Sequence, residues 1–199
     1  MRTLYLLILL SLFACNATPA NKGIRSPSVI SQIVEKSKQY KSSIDTTLSR
    51  NEGSVQLFAK VTGQDTLVLV EDGEWPDDTE YSINMMRDTS GNIIRISSTP
   101  VSQTGDWNVE CIHYFNQQGN TVVYEKRAGA FVLPNDGLAF ETITDYFDTD
   151  FIAIKRNYDL LDKNDNPLDR KTYAFTYNNI DTVAYSNLAQ FLKAFRVNQ

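Results

Sequence analysis

The chain has 199 residues, enough for one domain with a sizeable core, and it is acidic, with a formal net charge of −5. An acidic protein repels nucleic-acid phosphates, and no run of Lys or Arg offsets this charge, so we expect no nucleic acid among its partners. The chain contains one histidine and two cysteines. This count excludes a zinc site built from several histidines or cysteines, and we expect no metal and no cofactor.

Residues 1–14 have the pattern of a cleavable signal peptide. A short cationic start is followed by an almost entirely apolar run over residues 4–13, and Ala14 precedes Cys15, after which the sequence becomes polar. The apolar run has about half of the roughly 20 residues that a membrane-spanning helix needs. Cleavage further along the chain, which would discard Cys15, and retention of the segment as an anchor remain as alternatives.

The segment Leu12-Phe13-Ala14-Cys15 resembles the lipobox of bacterial lipoproteins. The resemblance implies that Cys15 becomes the lipidated N-terminus and holds the protein to a membrane, because several acyl chains together anchor a protein stably. The composition and the Phe-Ala-Cys segment look like those of Bacteroidota lipoproteins. Asn16, rather than Asp, follows the cysteine, and by resemblance to enteric sorting this favours the outer membrane of the cell envelope.

A polar stretch over residues 15–27, with Pro, Gly and Ser, predicts a flexible tether, and residues 28–199 then form a single domain. From Ile30 to Leu48, apolar residues recur at steps of three and four. This spacing predicts an amphipathic helix of about 20 residues that ends near Asn51. Its apolar stripe needs a sheet to cover, or, as the alternative, a membrane surface.

After this helix the apolar period changes to two residues, which is typical of strands. Residues 55–61 and 66–70 predict a hairpin. Three segments of the form Asx-x-x-Gly/Asp-Asn, beginning at Asp88, Asn116 and Asp162, predict further hairpins with tips near residues 90, 118 and 164. In such a turn the Asx side chain accepts backbone hydrogen bonds and the fourth residue takes a positive φ. The segments loosely resemble the turns of tyrosine-aspartate repeat proteins, but they follow no fixed period.

The remaining strands are predicted at residues 107–115, 121–127, 138–147, 151–161 and 170–177. The chain closes with a helix that Ser186 can cap, and its apolar residues at 188, 191, 192 and 195 share one face. One helix before the strands and one after them predict an α+β fold. We expect a meandering antiparallel, curved β-sheet with an N-terminal and a C-terminal helix packed on it.

Few residues indicate chemistry. Cys111 and His113 lie two apart on one strand face, which is conceivable for a nucleophile and its base, but no third residue is marked that would orient them. The favoured interpretation is that both are buried among aromatic residues, so no catalytic residue is predicted. Exposed aromatic residues near acids and amides can stack on sugars or peptides, and on this basis Trp75, Trp107 and His113 are the candidate ligand contacts.

Together these features predict a non-catalytic envelope lipoprotein that is attached to the membrane through lipid on Cys15 and binds another envelope component, a protein or a glycan. The first alternative is a carrier of an apolar ligand in a half-open β-sheet cavity. The second is a hydrolase, which no short catalytic motif in the sequence supports.

Overall fold

The computed structural model describes residues 25–51, 54–133, 137–172 and 182–196. The predicted signal peptide, most of the predicted tether and the proposed lipidation site Cys15 lie outside the described residues.

The N-terminal helix α1 spans Pro27–Arg50. It begins where the sequence predicts, because Ser26 accepts a hydrogen bond from the backbone N–H of Val29 and Pro27 occupies the first turn. It ends at Asn51, whose N–H bonds back to the carbonyl groups of the last turn. Among the described residues, no helix combines the length and the apolar character that crossing a membrane requires.

Eight strands form one antiparallel sheet, with the spatial order β2-β1-β3-β4-β5-β6-β7-β8. The strands are β1 (Val55–Val61), β2 (Val68–Leu69), β3 (Thr79–Arg87), β4 (Ile93–Pro100), β5 (Trp107–Phe115), β6 (Thr121–Leu133), β7 (Gly137–Phe147) and β8 (Ala153–Asp162). From β3 to β8 each strand pairs with the next one along the chain, and the sheet does not close, so β2 and β8 are its edges. The predicted α+β fold with a meandering antiparallel sheet is confirmed.

The predicted Asx turns are present, and the same turn occurs once more. Asp88, Asn116 and Asp162 each accept, through Oδ1, hydrogen bonds from the backbone N–H groups two and four residues ahead. Asp148 makes the same two bonds between β7 and β8. The fourth residue of each turn has a positive φ: 86° at Gly91, 75° at Gly119, 57° at Phe151 and 62° at Asp165. The expected positive φ at both glycines is therefore confirmed.

Two predicted elements near the C-terminus differ in the structure. Residues 170–172 form a single 3-10 turn rather than the start of a strand, and the rest of that predicted strand, residues 173–177, lies outside the described residues. The last helix, α2, spans Leu188–Ala194 and is capped by Asn187, one residue after the expected cap. Asn187 accepts a hydrogen bond from the backbone N–H of Gln190, and the Ser186 hydroxyl donates to the side-chain oxygen of Gln190.

The two helices lie on opposite faces of the sheet. We call the face under α1 the helix face; there Val34 and Ile44 pack with Ile112, Tyr114 and Val123 of β5 and β6. On the opposite face, α2 contributes Phe191 and Leu192 to a cluster with residues of β3, β4 and β5. Side chains alternate along each strand, so every second residue of β5 faces α1. The core therefore has two layers, one on each side of the sheet.

Candidate binding groove

The three candidate ligand contacts do not come together. Trp75 lies in the loop between β2 and β3 and is 47% exposed. Trp107 begins β5 at the border of a surface cavity, but its ring packs with Val109 and Ala130 on the opposite face of the sheet. His113, six residues further along the same strand and face, is fully buried.

His113 belongs to the aromatic core of the opposite face. Its ring centroid lies 5.0 Å from that of Tyr124 and 5.3 Å from that of Phe191. Its Nε2 accepts a hydrogen bond of 3.0 Å from the backbone N–H of Tyr185. Burial lowers the pKa of His113 from 6.5 to about 3, so the ring is neutral at physiological pH.

Cys111 is buried on the same face of β5 as His113. The hydroxyl oxygen of Tyr124 lies 3.2 Å from its Sγ and 2.9 Å from the carbonyl oxygen of Thr182. Burial, followed by the nearby Cys111, raises the pKa of the Tyr124 hydroxyl above its ordinary value. These contacts make Cys111 and His113 parts of a packed interior, as the favoured sequence interpretation expects.

The helix face carries a network of charged side chains beneath and beside α1. Lys41 pairs with Asp45 at 2.7 Å and with Glu125 of β6 at 3.1 Å. The Tyr114 hydroxyl donates a 2.8 Å hydrogen bond to Asp45. Burial alone would lower the pKa of Lys41, but Asp45, Tyr114 and Glu125 together raise it. Lys41 is therefore a fixed positive charge that joins α1 to the sheet.

The network continues along the sheet through pairs of arginine and glutamate side chains. Arg127 pairs closely with Glu125, at 2.5 Å. Glu110 lies between two arginines at longer distances, 3.3 Å from Arg95 and 3.8 Å from Arg127. Arg95 is only 4% exposed, and its Nε has no hydrogen-bond partner among the described residues. Glu110 is thus joined only loosely to both arginines.

Two adjoining cavities open where these charges lie. The first has a volume of about 510 Å³, and its lining includes Asp45, Val55, Asn84, Arg95, Glu110 and Arg127. The second has a volume of about 410 Å³, and its lining includes Asp106, Asn108, Phe131, Phe140 and the same Glu110 and Arg127. Because they share two residues, the cavities form one elongated depression, which we call the groove.

The end of the groove away from α1 is aromatic. Phe131 is 50% exposed and Phe140 is 44% exposed, and both lie in the β6–β7 hairpin. Phe140 is paired with Gly129 across the two strands, and its ring lies 3.5 Å from the position that a Gly129 Cβ would occupy. The glycine thus leaves room for the Phe140 ring to lie against the strand, and part of the ring stays open to solvent.

The candidate contacts named from the sequence include none of the charged residues of the groove, and the Trp107 ring packs on the opposite face of the sheet. One signal was available, since Glu125, Lys126 and Arg127 are consecutive within a strand. Side chains alternate in a strand, so such a run must place charge on both faces of the sheet. The convergence of Glu125 and Arg127 with Arg95 and Glu110 depends on the pairing of three strands, which the sequence alone does not fix.

Over the described ranges, no group of three or more His, Cys, Asp or Glu side chains is placed to hold a metal ion. The lining of the groove offers hydrogen-bonding groups, charges and aromatic surface. Comparison of the chain with protein-family models, with curated proteins and with solved structures gave no match.

Proposed function

We propose that this protein is a non-catalytic lipoprotein of the cell envelope and that it binds another envelope component through the groove. The observation that supports the proposal is the groove itself, in which fixed charges adjoin exposed aromatic rings. Ligand sites combine a few placed polar groups with apolar and aromatic surface in this way.

The start of α1 would fit a domain held on a tether. Arg25, just before the helix, pairs with Asp148 at 2.9 Å and with Asp150 at 3.2 Å in the β7–β8 turn. The side chain of Asp148 is almost completely buried. A chain leading from lipid on Cys15 would thus join the domain at a fixed point, at the tip of a hairpin.

Binding of a polar component is favoured over carriage of an apolar ligand. A carrier of the second kind needs an apolar interior, because polar groups that lose water without a new partner cost free energy. Both parts of the groove are lined by charged side chains, with Arg127 and Glu110 common to the two.

Site-specific photo-crosslinking tests the proposal. A photoreactive phenylalanine (p-benzoylphenylalanine) replaces Phe131 in the full-length protein, and cells are irradiated before their envelopes are fractionated. The matched control carries the same group at Trp75, which is about equally exposed but lies in the β2–β3 loop. We expect a discrete crosslinked product from position 131 that position 75 does not give. Identical patterns, or no product from position 131, would contradict binding through the groove.

A further inference from the structure

We infer that the groove binds a neutral oligosaccharide, with sugar hydroxyl groups at its charged end and a sugar ring against its aromatic end. The inference rests on the proposed function and names the chemical class of the component bound.

Charge balance is the first argument. The charged end is lined by two cations, Arg95 and Arg127, and by two anions, Asp45 and Glu110. An anionic ligand would be attracted by the two arginines but repelled by the two carboxylates. A cationic ligand would be attracted by the carboxylates but repelled by the arginines. Since neither sign of charge is favoured at this end of the groove, its lining suits a ligand that has no net charge there.

The state of Arg95 is the second argument. Its side chain is fixed by burial, and its guanidinium lies 5.9 Å from the centre of the Tyr114 ring. Its contacts with Ser97, at 3.5 Å, and with Glu110, at 3.3 Å, are both long. A guanidinium has five N–H donors, so Arg95 retains donor capacity beside an open cavity.

Hydroxyl groups match this pairing of donors and acceptors. Each hydroxyl donates one hydrogen bond and accepts others, so a single sugar hydroxyl can accept from Arg95 while donating to Glu110. The amide of Asn84, which lines the same cavity, offers both a donor and an acceptor to a neighbouring hydroxyl. Hydrogen bonds to charged groups are stronger than neutral ones, which suits recognition of a ligand that carries no charge itself.

The aromatic end supplies the apolar part of such a site. A pyranose ring has one face of C–H groups, and this face packs on an exposed aromatic ring. Phe140 presents such a ring, seated over Gly129, and the half-exposed Phe131 lines the same cavity. Because the two cavities adjoin at Glu110 and Arg127, one oligosaccharide can reach both ends.

The test is titration of the isotopically labelled protein, followed by NMR, with short neutral oligomers of glucose, mannose, galactose, xylose and N-acetylglucosamine. Heparin fragments and chitosan oligomers serve as anionic and cationic comparators. We expect at least one neutral oligomer to shift signals of the groove. Glu110→Gln should weaken that binding about tenfold or more, the scale of one charge-assisted hydrogen bond. Phe140→Leu, which keeps an apolar cover on Gly129 but removes the flat ring, should weaken it similarly.

Two control variants lie outside the groove, in the β2–β3 loop. Glu71→Gln and Trp75→Leu make the same kinds of change at exposed positions and should leave the affinity unaltered. The NMR spectrum of each variant shows whether the variant is folded. If Glu110→Gln does not fold, Phe140→Leu provides the test.

Several results would overturn the inference. One is that no neutral oligomer shifts the NMR signals of the groove residues. Another is that only the charged comparators shift them. The third is that the control variants weaken oligosaccharide binding as much as the groove variants do. If the crosslink at position 131 forms to a protein while no oligomer binds, the oligosaccharide is wrong and binding through the groove stands. If neither a crosslink nor an oligomer is detected, both proposals fail.

Discussion

His113 illustrates how a single buried residue ties stability to pH. The folded protein holds it neutral, since burial lowers its pKa to about 3, whereas in the unfolded chain it titrates near 6.5. Below pH 6.5 the unfolded state takes up a proton that the folded state does not. The contribution of His113 to stability is therefore complete above pH 6.5 and declines as the pH falls from 6.5 towards 3.

We predict that the free energy of unfolding falls by about 1.4 kcal/mol per pH unit once the pH is well below 6.5, the value for one proton. His113→Gln should flatten this slope, whatever its effect on stability at neutral pH. Urea unfolding of both proteins between about pH 5 and pH 7 measures how the free energy of unfolding changes with pH. The carboxyl pKa values of Glu141 and Asp148 are lowered below 4.5 and 3.8, so these groups weaken the fold only at lower pH. If the free energy of unfolding of the variant changes with pH as steeply as that of the wild type, His113 is not the group responsible.

At the scale of elements, the four Asx turns differ in the residue that takes the positive φ. Glycine adopts this conformation without steric cost, and Asp tolerates it, but a bulky residue does so with strain of about 1 kcal/mol or more. At the β7–β8 turn the residue is Phe151, with φ 57°. Its ring stacks on Phe147, with 4.3 Å between centroids, so packing offsets the strain of the backbone.

This turn predicts a reversal of the usual order of two truncations. Both Phe151→Ala and Phe151→Gly lose the stacked ring, but Ala keeps the strained conformation and Gly does not. We expect Phe151→Gly to be the more stable variant by about 1 kcal/mol, although glycine normally costs stability relative to alanine. Thermal or urea unfolding compares the pair. The same pair at Thr149, a turn position without a positive φ, should show the ordinary order, with Ala the more stable.

At the scale of the whole molecule, the proposed attachment at Cys15 decides where the domain works. We predict that Cys15→Ser moves the protein out of the detergent-extracted membrane fraction or leaves it unprocessed, because the acyl chains can no longer be added. Cys111→Ala is the matched control, since it removes the other cysteine and should leave the protein in the membrane fraction. Mass spectrometry of the wild-type N-terminus completes the test. An unlipidated chain that starts after residue 15 would show the prediction to be wrong.

The features of the fold that the sequence predicts correctly are mostly those that residues close together in the chain determine. The apolar spacing from Ile30 to Leu48 defines α1, and the Asx turns at Asp88 and Asn116 fix two hairpins, because neighbours along the chain determine both. The turn at Asp148 was not predicted, because the Asx-turn pattern has Gly, Asn or Asp at its fourth position and this turn has Phe151 there. Its strain is offset only by tertiary packing, which a local pattern does not contain.

The groove was harder still to predict. Arg95, Glu110 and Arg127 lie on three different strands, and each alone has the appearance of an ordinary charged residue in a sheet. A shift of one residue in any pairing would send a strand's side chains to the other face. Arg95, Glu110 and Arg127 therefore lie beside one cavity only because of the register of the β4–β5 and β5–β6 pairings.

The order of strands in the meander also bears on how the chain reaches this structure. Each pair from β3 to β8 joins neighbours in sequence through a short connection, so little loop entropy opposes any one pairing and the hairpins can form early. The helix α1 and the segment before α2 depend on distant partners: Tyr40 of α1 donates a hydrogen bond to the carbonyl of Phe115, and the N–H of Tyr185 donates one to His113. We expect α1 and the C-terminal segment to dock last, onto a sheet that is already paired.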